Sequence, residues 1–133
     1  MDPNLQAFFR RGGKLLQYHG WSDPSVSPLN SINYYISVAD LVGRQANVSD
    51  SYRLFMIPGM DHCSGGDGPN TFDSIHAIEQ WVEEKNAPDA VIASELKGGK
   101  VSRTRPLCPF PQVAKYKGTG STDDAASFLC ALP

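Results

Sequence analysis

The chain has 133 residues, with 12 Lys+Arg against 14 Asp+Glu for a formal net charge of −2, and 41% of it is hydrophobic. A chain of this length supports one domain, which buries roughly two-thirds of the surface its unfolded form exposes. Near-neutral charge with no basic stripe argues against a nucleic-acid partner, and no apolar run approaches the roughly 20 residues that a bilayer span needs.

The elements follow from capping residues and apolar spacing. Asp2-Pro3 can start a short helix in which Leu5, Phe8 and Phe9 share a face, and Gly12-Gly13 ends it. Lys14 to Tyr18 reads as a buried strand, and His19-Gly-Trp-Ser-Asp23-Pro24 is turn chemistry at its carboxyl end. Ser27 before Pro28 predicts an N-cap with proline at N1. Ile32, Tyr35, Ile36, Ala39 and Val42 then recur at helical spacing up to Gly43.

Tyr52 to Ile57 predicts a second apolar strand, stopped by Pro58-Gly59 and followed by a glycine-rich loop from Met60 to Asn70. Thr71 is placed to cap the next helix, whose apolar stripe is Phe72, Ile75, Ile78 and Val82 with Trp81 alongside; Asn86-Ala87-Pro88 closes it. Val91 to Leu96 and Lys100 to Leu107 can be strands around Gly98-Gly99. Residues 89–133 otherwise read as an irregular tail of the same domain, extended by Pro106, Pro109 and Pro111. Strand, loop, helix, strand, loop, helix and tail predict an α/β fold whose parallel strands alternate with crossover helices.

In such sheets reactive groups sit beyond the carboxyl ends of the strands. Asp23 lies just past the first strand and His62 just past the second. A carboxylate that accepts a hydrogen bond from one imidazole nitrogen fixes the tautomer and leaves the other nitrogen free as a general base toward a serine hydroxyl. Taken singly, each residue has a plainer reading, Asp-Pro as a turn and a loop histidine as a solvated side chain. Two serines imitate a nucleophile. Ser22 follows a strand in Gly20-Trp-Ser22, but Pro24 stands where a Gly-x-Ser-x-Gly elbow has its second glycine, and the helix begins too late. Ser64 follows His62 too closely for in-line geometry.

A metal set could be drawn from His19, Asp61, His62, Cys63 and Asp67, but Cys-x-x-Cys and His-x-x-x-His pairs are absent. The glycine-rich loop lacks the spacing of a phosphate cradle, and His76 is expected on an exposed helix face. The three cysteines point to a disulfide set with one member unpaired. The amino terminus carries no basic-then-apolar signal. Both features fit the carboxy-terminal piece of a longer secreted or periplasmic protein.

His19-Gly-Trp-Ser-Asp23-Pro, Gly59-Met-Asp-His62-Cys63, Arg105-Pro-Leu-Cys108-Pro-Phe-Pro and the closing Cys130 resemble, in order and spacing, the carboxy-terminal portion of the tannase and feruloyl esterase family. The resemblance covers nearly the whole chain. It implies the end of an α/β-hydrolase catalytic domain over 1–133, acting on esters of phenolic or aromatic acids such as gallate or ferulate. By position, Asp23 and His62 would be the triad aspartate and histidine. Cys63 would pair with an upstream cysteine beside the nucleophilic serine, and Cys108 with Cys130 to close the tail.

The nucleophile elbow, the oxyanion loop and a lid that carries a structural calcium are family features missing from this sequence. The chain itself is therefore expected to need no cofactor and to be inactive without the missing amino-terminal part. Its expected partners are that part and a small aromatic ester, with neither nucleic acid nor membrane. Two other readings remain open at this level: a short non-enzymatic binding or assembly module, and a complete small hydrolase using Ser22 or Ser64.

Overall fold

The apolar run Tyr52–Ile57 is the centre of the computed structural model, which describes residues 1–43 and 48–133. This strand, β2, buries both of its faces. Leu54 and Met56 pack with Tyr35, Val38 and Ala39, while Phe55 and Ile57 pack with Met60, Ala93 and Leu107. On one side β2 pairs in parallel with β1, Leu15–Gly20, in a register that runs from Leu15 opposite Tyr52 to Gly20 opposite Ile57. On the other side Phe110 N donates to Leu54 O at 2.7 Å, and Phe55 bridges Pro109, so the Cys-Pro segment supplies a second backbone neighbour.

Between β1 and β2 the chain forms α2, Pro28–Val42, after a short α1 at Gln6–Arg10. Pro28 opens α2 and Gly43, with φ 123°, ends it, as the sequence predicts. Ser27 holds the N-cap position without a side-chain bond, and the first turn closes instead through Asn30 N to Ser27 O at 2.9 Å. The buried face differs from the apolar stripe: Ser31, Tyr35, Val38 and Ala39 are buried, whereas Ile36 is 44% exposed. β1 is half-buried rather than buried, with Tyr18 exposed at its outer side against Phe72.

The next helix, α3, spans Ser74–Glu83 and is capped by Asp73, whose carboxylate accepts from His76 N at 2.8 Å. Thr71, expected at that position, is a strand-like bridge to Ser94 instead. The helix buries Trp81 alone, beneath the cationic groups of Lys14 and Arg53, and leaves Ile75 and Val82 exposed. Of the predicted stripe, Phe72 packs against the core from just outside the helix and Ile78 is half-buried, so within α3 the flanking Trp81 makes the buried contact.

The remainder is more regular than its prolines suggest. β3 (Val91–Lys97) and β4 (Lys100–Leu107) form an antiparallel hairpin around Gly98-Gly99, both of which have positive φ. β5 (Val113–Tyr116) pairs antiparallel with β6 (Phe128–Ala131), and a disulfide joins Cys108 to Cys130. The disulfide-closed tail is thus present. Parallel pairing, however, is confined among the described residues to β1 and β2, and the other two strand pairs are antiparallel. No described helix is long and apolar enough to cross a membrane.

Candidate functional site

Parallel register brings the ends of β1 and β2 side by side, and the loops beyond them are stitched together. Trp21 N donates to Ile57 O at 2.9 Å, and Ser22 N to Met60 O at 3.0 Å. This approach requires Gly20, because a Cβ there would run into the carbonyl oxygens of Met60 and Asp61. The second loop turns back on itself through Asp61 N to Gly65 O at 3.2 Å and presents His62, Cys63 and Ser64 at its exposed tip. Cys63 has φ 65°, a left-handed conformation that costs an L-residue about 1–2 kcal/mol.

Asp23 is the hub of the two loops, with its side chain only 2% exposed. Its Oδ1 accepts from Ser25 N at 2.8 Å and Val26 N at 2.9 Å. Its Oδ2 faces two imidazoles, His62 Nδ1 at 2.7 Å and His19 Nε2 at 3.0 Å. Burial raises the carboxyl's pKa, but the Val26 and Ser25 amides and the His62 hydrogen bond together outweigh it, so Asp23 is held well below the usual carboxylate range. A group in that state is an ionised acceptor at neutral pH. His62 lies across the rim, 53% exposed, and among the described residues nothing bonds to its Nε2. The arrangement can fix one imidazole tautomer and offer the other nitrogen to a reacting hydroxyl.

Both predicted site residues are thus brought together at hydrogen-bond distance. Ser22 and Ser64 are both exposed, and neither bonds to His62 among the described residues. Cys63 is an exposed thiol outside the disulfide, and His76 is exposed on α3. Sequence reasoning considered His19 only as a metal ligand and missed its bond to Asp23. The available signal was the His-x-x-x-Asp spacing across a strand end. A cleft of about 130 Å³ lies at the pair, lined by Tyr18, His19, Asp23, Val26, Met60, His62 and Cys63 among others. That is below the 300–1,000 Å³ typical of ligand pockets.

The whole of 1–131 matches the family described as tannase and feruloyl esterase. The chain belongs to the tannase and feruloyl esterase family. It is 45% identical to mono(2-hydroxyethyl) terephthalate hydrolase from Piscinibacter sakaiensis over 135 residues, which is 99% of this chain and 22% of that protein. A probable feruloyl esterase B-1 from Aspergillus oryzae is 37% identical over 97% of this chain and 27% of its own length. The crystal structure of feruloyl esterase B from Aspergillus oryzae superposes with a TM-score of 0.90 at 36% identity, covering 98% of this chain and 29% of that one. The chain therefore spans about a quarter of the length of the tannase and feruloyl esterase relatives it matches.

Proposed function

We propose that this chain is the carboxy-terminal part of an α/β-hydrolase catalytic domain that hydrolyses esters of phenolic or other aromatic acids through an acyl-enzyme, with His62 as general base and Asp23 as its orienter. The observation that carries the reading is the 2.7 Å contact between His62 Nδ1 and a buried, ionised Asp23, which leaves Nε2 open. In this reading a serine Oγ attacks the ester carbonyl carbon while His62 Nε2 takes its proton. The imidazolium so formed faces Asp23, and it returns the proton to the departing alcohol oxygen as the tetrahedral intermediate collapses. Water then repeats the sequence and releases the acid.

The serine and the oxyanion donors are assigned to polypeptide outside these residues, as is the larger part of the acid-binding pocket. The small cleft and the fourfold greater length of the relatives support this division. Cys63 is assigned to a disulfide with a cysteine beside that serine, which would limit relative motion of base and nucleophile. The Cys108–Cys130 bridge supports an oxidising location, hence a secreted or periplasmic protein. The calcium implied for the family is assigned, with the lid that would carry it, to polypeptide outside these residues.

The test is turnover of methyl ferulate and methyl gallate by the full-length protein carrying this chain. His62→Ala should lower kcat by about 10⁴-fold or more with the thermal transition unchanged. Turnover at the wild-type level in that variant overturns the reading.

A further inference from the structure

The imidazole of His19, near the end of β1, lies between the loop that follows and α2, 12% exposed, and both of its ring nitrogens are engaged. Its Nε2 lies 3.0 Å from Asp23 Oδ2 and 3.2 Å from Val26 O. A carboxylate and a carbonyl can only accept, so Nε2 carries the proton. On the far side, Nδ1 is 2.6 Å from Ser31 Oγ, in the first turn of α2.

Behind His19 the hydrogen bonds have one consistent direction. The Tyr52 hydroxyl donates to Gln17 Oε1, and the Gln17 amide donates to Ser31 Oγ at 2.9 Å. In the neutral tautomer with Nε2 protonated, Nδ1 can only accept, so the Ser31 hydroxyl donates to it while its oxygen receives the Gln17 amide. The chain of donors therefore runs from Tyr52 in β2, through Gln17 in β1 and Ser31 in α2, to His19 and Asp23. It meets His62 at the same carboxylate oxygen.

We propose that His19 is a positioning residue for the ester-hydrolase site, holding Asp23 Oδ2 in the plane and orientation that His62 needs. The proposal rests on the functional reading above. Backbone amides fix Oδ1 alone, which leaves the carboxylate able to pivot about that anchor. A second imidazole N–H on Oδ2 removes this freedom. It also fills the remaining acceptor position, so Asp23 faces His62 with its other lone-pair directions already satisfied. Ser31 keeps His19 in the required tautomer. This accounts for a buried serine on the core face of α2 where periodicity calls for an apolar residue.

The experiment measures steady-state kinetics on methyl ferulate, with the melting temperature, for His19→Ala, His19→Gln, Ser31→Ala and His62→Ala in the full-length protein. Partners that orient metal-ligating side chains are worth about 10- to 100-fold in activity, and a loss in that range is expected here. His19→Ala should show that loss in kcat with KM within about twofold of wild type. His19→Gln, whose amide can reach Oδ2 as a donor, should restore most of it. Where His19→Ala gives too little folded protein, Ser31→Ala is read the same way, since it leaves the imidazole in place and removes the hydroxyl between Gln17 and His19 Nδ1.

A purely structural role would lower the melting temperature and raise KM together, with no rescue by Gln. That result overturns the proposal, as does wild-type kcat in both His19→Ala and Ser31→Ala while His62→Ala is inactive. Failure of the functional reading has a different signature, because His62→Ala then retains turnover.

Discussion

Gly20 is the position at which fold and site meet most directly, and Gly20→Ala puts a number on that. The added Cβ would meet the carbonyl oxygens of Met60 and Asp61. Both are backbone atoms, so no side chain can swing aside, and the overlap lies roughly 1 Å inside ordinary contact. Overpacking of this kind typically costs about 1–3 kcal/mol. The larger effect is expected on rate, since the two loops carry Asp23 and His62, whose 2.7 Å contact cannot survive a separation of that size. A displacement of about 1 Å in a catalytic constellation can cost about 100-fold. The assay is urea unfolding together with kcat on methyl ferulate in the full-length protein. Gly13→Ala is the comparison, because the atoms its Cβ would meet belong to the ring of Phe8, which is 40% exposed and can move; its cost should stay below about 1 kcal/mol. If Gly20→Ala matches Gly13→Ala in both stability and kcat, the close approach of the two loops does not set the site.

Replacing Cys108 and Cys130 together by Ala opens a crosslink of sequence separation 22, worth about 3 kcal/mol in the chain-entropy model; a urea-measured loss below about 1 kcal/mol would show that the β5–β6 hairpin holds the tail without it. Trp81→Ala should destabilise by about 3–5 kcal/mol as the deletion of an indole only 2% exposed, whereas Val82→Ala, at 56% exposure, should stay within about 0.5 kcal/mol. Equal costs at the two positions would contradict the packing of α3. Asp23 has a folded pKa below its ordinary 3.8, so its stabilising contribution is full above the unfolded value and is lost as pH falls through the folded one. The melting-temperature gap between wild type and Asp23→Asn should therefore narrow as pH drops below about 4, and a gap unchanged down to about pH 2 would refute the assignment.

Strand β2 was legible to the residue because a six-residue run, apolar except for Arg53, ends in Pro58-Gly59, and turn chemistry there leaves no other reading. The ends of α2 were legible for the same reason, through Pro28 and Gly43. Its buried face was not, because Ser31 is buried for hydrogen bonding to Gln17 and His19, which hydrophobic periodicity does not register. The stripe proposed for α3 failed differently. Four apolar residues at helical spacing suggest a broad buried face, yet Ile75 and Val82 stay exposed, Phe72 packs from outside the helix, and Trp81 beside the stripe is the residue that α3 buries. The β5–β6 pairing was hidden because strand pairing depends on a distant partner, and the Pro-rich stretch preceding it reads as loop. At the site, position relative to strand ends singled out Asp23 and His62. The role of His19 needed the three-dimensional course of the loop that follows β1, since its interest lies in what both ring nitrogens face.

The geometry of Asp23 and His62, 39 residues apart in sequence, comes down to the register of β1 against β2. A slip of one residue would displace the two loops by about 3.3 Å, well beyond hydrogen-bond reach. In most half-buried strands such a slip is prevented by polarity, because it turns the apolar face outward. Apart from Arg53, β2 is apolar on both faces, so polarity alone discriminates weakly here. The register must then be held by groups that fit in one alignment only. Near the start of β2, the Tyr52 hydroxyl donates to Gln17 Oε1 of β1. At its end, Gly20 alone among the β1 residues lacks the Cβ that the Met60 and Asp61 carbonyls exclude. A slip would place His19 or Trp21 there. The residue that permits the loops to touch is thus also the one that fixes which residues touch, and the placement of base and carboxylate follows from it.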